Sequence, residues 1–354
     1  MGSWISSIDT HTGGEPTRNI VSGIPTLHGN SMIEKARDFS QRYDTLRRHL
    51  LFEPRGSEVM SGTILTDPCH PNADIGVIFV EVGGYLPLCG HDTIGLCTAL
   101  VETRKIEVSE PETSIVLDTP AGLVQAIVSV EGGHATNVRF RGVPSFVLRH
   151  GVRVSTPSGL QALGDVAYGG NLYFSVDAAQ LGLSLERRCM TDLVRAGTEL
   201  REAIRQQGSI DHPALPCTDR VTHIQFTGAP TTPGASAANA VIIPPGAVDR
   251  SACGTGTAAR MAILHALGTL QIGEPFAHEG PLGTTMTGVI VGCTTIGGCD
   301  AILPQISGRA FITGFHRFVN NPEDHLDEGF LLNSDTSSCL CSMKRNPVQE
   351  EEAP

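Results

Sequence analysis

At 354 residues the chain has the length of about two domains, and 40% hydrophobic against 18% charged sequence supports a sizeable core, which excludes a disordered chain and a small disulfide-held peptide. The 25 basic and 37 acidic residues leave a net charge of −12; eight acids and two bases within 321–354 supply six of those negatives, so the body is mildly acidic and no nucleic-acid partner is expected. Mean hydropathy near zero and the lack of a basic, apolar, then small-residue leader point to no membrane association, to a cytoplasmic protein, and to reduced thiols for the ten cysteines. Met1-Gly2-Ser3-Trp4-Ile5-Ser6 fits the loose myristoylation pattern, but no polybasic patch follows, and one acyl chain anchors weakly.

In chain order, the elements are written twice. Asp9-Thr-His-Thr-Gly13-Gly14 follows a β-like run, and Leu88-Cys89-Gly90-His91 comes about 75 residues after it. Ile94, Cys97 and Val101 then recur at helical spacing. Pro120-Ala-Gly122 turns the chain into strands predicted over Leu123–Val130 and Val138–Leu148. The second pass runs through Asp165-Val-Ala-Tyr-Gly169-Gly170, then Ala252-Cys253-Gly254-Thr255 opening a helix that Gly268 stops, then Pro281-Leu-Gly283 and strands over Thr285–Val291 and Ala301–Ile312. Three landmarks in one order predict an α+β protein of two similar domains, residues 1–155 and 156–332, each a mostly antiparallel sheet wrapped around a central helix. Residues 333–354 read as a disordered acidic tail.

A cysteine at a helix start feels unpaired backbone N–H groups and the positive end of the dipole, which favour thiolate. The amides of Gly90, His91, Gly254 and Thr255 form ready anion sites, and the glycines leave room for a ligand. If the domains face each other, one thiolate can remove a Cα proton while the opposite thiol protonates the other face. That suits inversion beside a carboxylate without a cofactor. Pyridoxal phosphate chemistry needs a Schiff-base lysine, and Lys35, Lys105 and Lys344 all sit in charged or terminal surroundings. No metal is expected, because Cys69-His70 lacks clustered partners and Cys339-Leu-Cys341 lies in the tail.

At these residues the sequence resembles the proline racemase family from Asp9 to about Phe330. The fingerprints are Asp9-Thr-His-Thr-Gly-Gly-Glu-Pro16, Glu53-Pro-Arg-Gly56, Leu88-Cys-Gly-His91 and Asp249-Arg-Ser-Ala-Cys-Gly-Thr-Gly-Thr257. The resemblance implies a diaminopimelate epimerase-like fold with the site in the interdomain cleft, and Cys89 and Cys253 as acid and base. It also implies His91 and Asp249 on the substrate's ring nitrogen and the amides of Gly90, Gly254 and Thr255 on its carboxylate. Dehydratases of the family typically carry threonine at the second thiol, which Cys253 argues against. Ser61 in place of an aromatic, His223 as a polar partner for a ring hydroxyl, and Phe79 as an apolar wall point to a 4-hydroxyproline 2-epimerase, with proline racemase and then trans-3-hydroxy-L-proline dehydratase as alternatives. Asp92, Ala252 and Gly280-Pro281 depart from the family's commoner residues. The implied partner is a small molecule, hydroxyproline or proline, and a homodimer is left open.

Blander readings stand beside these. Cys69, Cys97, Cys189, Cys217, Cys293 and Cys299 read as packing residues, Asp9 and Asp165 as turn holders, and Glu53 and Arg55 as a brace. Gly254-Thr-Gly256-Thr-Ala-Ala259 fits a dinucleotide fingerprint, but the preceding strand ends too early. A Cys-His hydrolase leaves the second Cys-Gly helix start unexplained, and a non-catalytic amino-acid-binding protein does not need both thiols.

Overall fold

The computed structural model describes residues 4–215, 220–321 and 323–332. The expected tail, Cys217, Lys344, Cys339 with Cys341, and Gly2 lie outside them.

A hairpin opens the chain. Strands β1 (Ile5–Thr12) and β2 (Glu15–Ser22) turn at Gly13-Gly14, where φ of +60° and +100° favours glycine. Helices α1 (Met32–Arg42) and α2 (Asp44–Leu51) follow, then β3 (Ser61–Thr66) parallel to β2, β4 (Ile75–Glu81) and β5 (Gly84–Leu86). Helix α3 (Gly90–Glu102) leads into β6 (Glu112–Thr119), parallel to β4, and on into antiparallel β7 (Gly122–Glu131) and β8 (His134–Arg141). After β9 (Ser145–Ser155) the same pairings recur. β10 (Gln161–Tyr168) and β11 (Leu172–Asp177) form the hairpin, α4 (Met190–Gln206) follows, and β12 (His223–Gly228) runs parallel to β11. Then come β13 (Ala237–Ile243), β14 (Ala247–Val248), α5 (Gly254–Ala266) and β15 (Pro275–Glu279), which is parallel to β13. Antiparallel β16 (Thr285–Ile296) and β17 (Cys299–Gly308) complete the repeat.

The fold is therefore α+β with a mixed sheet and few helices, antiparallel pairs predominating. β8 pairs with β17 and joins the halves. The last strand of each half crosses over: β9 pairs with β10 and β17, and β18 (Ala310–Phe318) returns to pair with β1. A boundary at residue 155 puts β9 with the first half, whereas its hydrogen bonds lie with the second. The strands expected over Val138–Leu148 and Ala301–Ile312 are each broken, at Gly142-Val-Pro144 and at Arg309. Pro144 cannot donate to a ladder, and each break is where the chain changes partners.

Only the last residue of α3 escapes burial, and α5 is buried through Ala259, so both are apolar almost all round and sit inside the sheets. Ile94, Leu96, Leu100 and Val101 of α3 pack on Val77, Leu117, Val128 and Phe140. Each such side chain contributes about 1.5–3 kcal/mol on leaving water. The outer helices are amphipathic; α1 buries Met32, Lys35, Ala36 and Phe39 on one stripe. No helix among the described residues is long and apolar enough to cross a membrane.

Candidate active site

The two central helices meet at their first residues. A Cβ built on Gly90 falls 2.8 Å from Gly254 Cα, and one on Gly254 falls 3.0 Å from Gly90 Cα. Both glycines are needed for backbone to approach backbone, a different reason from the ligand clearance expected. Each is preceded by its cysteine at the helix N-cap. The first intrahelical bonds come from the amides of Thr93 and Thr257, so the amides before them remain outside the helical ladder.

Cys89 has an ordinary extended conformation, but Cys253 lies at φ +59°. Such a backbone costs a non-glycine residue about 1–3 kcal/mol, and a chain of hydrogen bonds holds it in place. Ser251 Oγ accepts from the Cys253 amide at 2.9 Å, Asp249 Oδ1 accepts from the Ser251 amide at 2.8 Å, and Asn239 Nδ2 donates to the Ala252 carbonyl at 3.1 Å.

Both thiols line one pocket. The repeat builds its walls. Thr17 of β2 stands beside Ser61 of β3, and at the matching register Tyr173 of β11 stands beside His223 of β12. Glu15 and Asn171, the first residues after the two Gly-Gly turns, also line the pocket, with Glu81 and Asp249. Thr17 Oγ1 donates to Asp92 Oδ1 at 2.7 Å and Ser61 Oγ donates to Asp92 Oδ2. On the other side Tyr173 Oη lies 3.3 Å from Cys253 Sγ and 2.6 Å from Thr255 Oγ1.

Each thiol thus has a polar companion. Cys89 Sγ is 3.3 Å from His91 Nδ1 and 4.0 Å from Nε2, and Asp92 Oδ1 is 3.1 Å from Nε2. Burial first, then the Asp92 charge, pushes the Cys89 thiol up to about 12. Burial and then Asp249 push Cys253 well above the usual thiol range, and Tyr173 opposes them. Burial overrides the thiolate preference expected at a helix start. His91 is held well above the usual imidazole range: burial works against its charge, and its interactions with Cys89 and Asp92 outweigh burial. Burial and then Asp249 raise Glu15, whose Oε2 accepts from the Arg250 amide while Oε1 has no hydrogen-bond partner among the described residues. Burial and then Asp92 raise Glu81 to about 7. Burial lowers His223 to about 3, so its imidazole is neutral.

Of the residues read from the sequence, Cys89, Gly90, His91, Ser61, His223, Asp249, Cys253, Gly254 and Thr255 all line this pocket. Phe79 does not. It is fully buried on β4 in the core around α3, and the apolar wall is instead Val59, Val82, Leu86 and Ile243. Glu15, Glu81, Asn171 and Tyr173 were not singled out, although Glu15 lies in a quoted fingerprint. Aligning the two Gly-Gly turns and counting one and three residues onward finds Glu15 with Asn171 and Thr17 with Tyr173. Cys89, His91 and Asp92 also bring a thiol, an imidazole and a carboxylate within 4.8 Å of one another, the one such grouping found among the described residues. These groups already contact each other at 3.1 and 3.3 Å, so a metal would have to displace both contacts.

A proline racemase family profile matches residues 7–331. The chain belongs to the proline racemase family. It is 43% identical to a proline racemase of Clostridioides difficile over 328 residues, covering 93% of this chain and 98% of that protein. It is also 43% identical to a 4-hydroxyproline 2-epimerase of Streptosporangium roseum over 326 residues, covering 92% and 98%. A solved hydroxyproline epimerase from Agrobacterium vitis with bound trans-4-hydroxy-L-proline superposes with a TM-score of 0.88 at 33% identity, covering 96% of this chain and 99% of that one. The family's members named here are isomerases, and this proline racemase family member is an isomerase of the racemase and epimerase type.

Proposed function

We propose that the protein is a cofactor-independent 4-hydroxyproline 2-epimerase working with Cys89 and Cys253 from opposite faces of the substrate. The observation that carries this reading is the meeting of the two Cys-Gly helix starts at one pocket. One thiolate takes the Cα proton, so a C–H bond breaks and an S–H bond forms, and the opposite S–H protonates the other face. The helix-start amides of Gly90, Gly254 and Thr255 stabilise the negative charge that develops on the carboxylate. Asp249, with Glu15 Oε1 close by, offers oxygen acceptors to the ring nitrogen, and the family pattern implies His91 at the same nitrogen. The paired recurrence of strands supports two diaminopimelate epimerase-like halves with the pocket in the cleft, β9 and β18 exchanging between them.

The preference for a ring hydroxyl rests on His223. Ser61 gives its hydroxyl to Asp92, which leaves the neutral His223 imidazole, tilted against the Tyr173 ring with centroids 5.0 Å apart, as the partner for a 4-hydroxyl. NMR in D₂O over the proline and hydroxyproline isomers tests the reading. Deuterium at Cα with inversion, and a higher kcat/KM for trans-4-hydroxy-L-proline than for L-proline, is the expected result. A higher value for proline reassigns the substrate, loss of water reassigns the reaction to dehydration, and no exchange on any isomer removes the reading.

A further inference from the structure

His91 stands between two protein groups, and its neighbour in sequence is a carboxylate with no solvent exposure. Asp92 receives hydrogen bonds from Thr17 and Ser61, on two different strands, and its Oδ1 also faces His91 Nε2 at 3.1 Å. So many fixed contacts give the carboxylate one orientation, and through it the imidazole one orientation, with Nδ1 nearest the Cys89 sulfur at 3.3 Å. The arrangement has no counterpart at the second thiol. The position matching Asp92 there is Gly256, where a built Cβ falls 3.0 Å from Cys253 Sγ, and the thiol is served by Tyr173 instead.

We propose that Asp92 is a positioning residue for the first base, holding His91 so that its imidazole acts as the proton partner of the Cys89 thiol. This rests on reading Cys89 as an acid/base group. The thiol S–H bond breaks as the Nδ1–H bond forms, and the resulting imidazolium keeps its Nε2–H on Asp92 Oδ1. No electrons are gained or lost. The other charged groups facing the trio are Glu15 from β2, Glu81 from β4, and Asp249 and Cys253 from the second half, all potential anions. An imidazolium is the cation the pocket itself provides against them.

The sign of one experiment separates this role from that of a merely negative neighbour. Removing a nearby negative charge alone makes a thiolate easier to form, so Asp92→Asn would then alkylate faster. If Asp92 acts through His91, the variant loses the imidazolium and alkylates more slowly. The expected result is that iodoacetamide labelling of Cys89, followed by peptide mass spectrometry at pH 7.5, slows about tenfold in Asp92→Asn, as a one-unit alkaline displacement of the profile gives. His91→Asn slows equally, and the double variant is no slower than either single one, as coupled residues require. Faster or unchanged labelling overturns the proposal. Cys97, fully buried on the same helix, stays unlabelled while the chain is folded. Should Asp92→Asn not fold, ¹⁵N-histidine NMR of the native protein decides: a proton on His91 Nε2 supports the proposal, and a neutral ring protonated only at Nδ1 overturns it. Labelling needs no substrate, so absent Cα exchange in the native enzyme would reject the epimerase reading without bearing on Asp92.

Discussion

Cys253 combines two costs, a left-handed backbone and a buried thiol beside Asp249, and both are sustained by the hydrogen bonds of the Asp249–Ser251 turn. Strain kept at one position of a well-packed helix start is expected where geometry matters to chemistry. Cys253→Ser should lower inversion about 10²–10⁴-fold, the usual worth of a placed acid or base, while pyrrole-2-carboxylate still binds by calorimetry. Retained inversion would remove Cys253 from the mechanism. Tyr173→Phe deletes the hydroxyl shared by Cys253 and Thr255 and leaves the ring on His223. One such bond is worth about 1 kcal/mol, so Cys253 alkylation should slow about fivefold; an unchanged rate would mean the phenol does not stabilise the thiolate. At this scale the cysteines and their helix starts were legible because Cys-Gly before an apolar helical run is a local signal. Glu81 was not, since its place comes from the pairing of β4 with β3, and Glu15 and Tyr173 carry a signal only once the two Gly-Gly turns are aligned. Phe79 was misplaced for another reason: it shares a face of β4 with Glu81, which lines the pocket, but sits two residues earlier on the strand, inside the core around α3.

The contact between α3 and α5 is the element on which the pocket depends. Gly90→Ala places a methyl group against Gly254 backbone, which cannot rotate away as a side chain can, so the helix starts must separate. Overpacking of this kind costs about 1–3 kcal/mol, and the thiols, each at one of those starts, move with the helices. Gly90→Ala should therefore lower the denaturant midpoint and lose inversion by more than its stability loss explains, measured under conditions where the variant is fully folded. Wild-type turnover in folded Gly90→Ala would mean that the close approach is not required. The repeat made these elements readable, because the same landmarks recur in the same order. The helices α1, α2 and α4 were not assigned, although the spacing of Met32, Lys35, Ala36 and Phe39, and of Leu193, Ala196, Leu200 and Ile204, carries the amphipathic signal. The exchange of β9 and β18 leaves no local mark beyond Pro144, since partner choice is a property of the assembled sheet.

Across the whole molecule, the pocket concentrates acids inside a chain that is already negative, and this ties stability to pH. Glu81 is 7% exposed and sits near 7 when folded, against an ordinary value of 4.5, because burial and then Asp92 disfavour its charge. A carboxyl raised by folding binds its proton more tightly in the folded state. Its contribution to stability is therefore fully present below about pH 4.5 and is lost as pH rises through 7. By pH 8 the ionised, buried side chain costs on the order of 3 kcal/mol relative to the protonated one. Glutamine keeps the size and cannot ionise, so Glu81→Gln should raise the melting temperature at pH 8 by on the order of 5 °C and change it little at pH 5. Calorimetric scans of both proteins at the two pH values measure the difference. An equal displacement at both, or a lower melting temperature at pH 8, would mean that the Glu81 charge is compensated in the folded chain and that the pocket's acids carry no net cost.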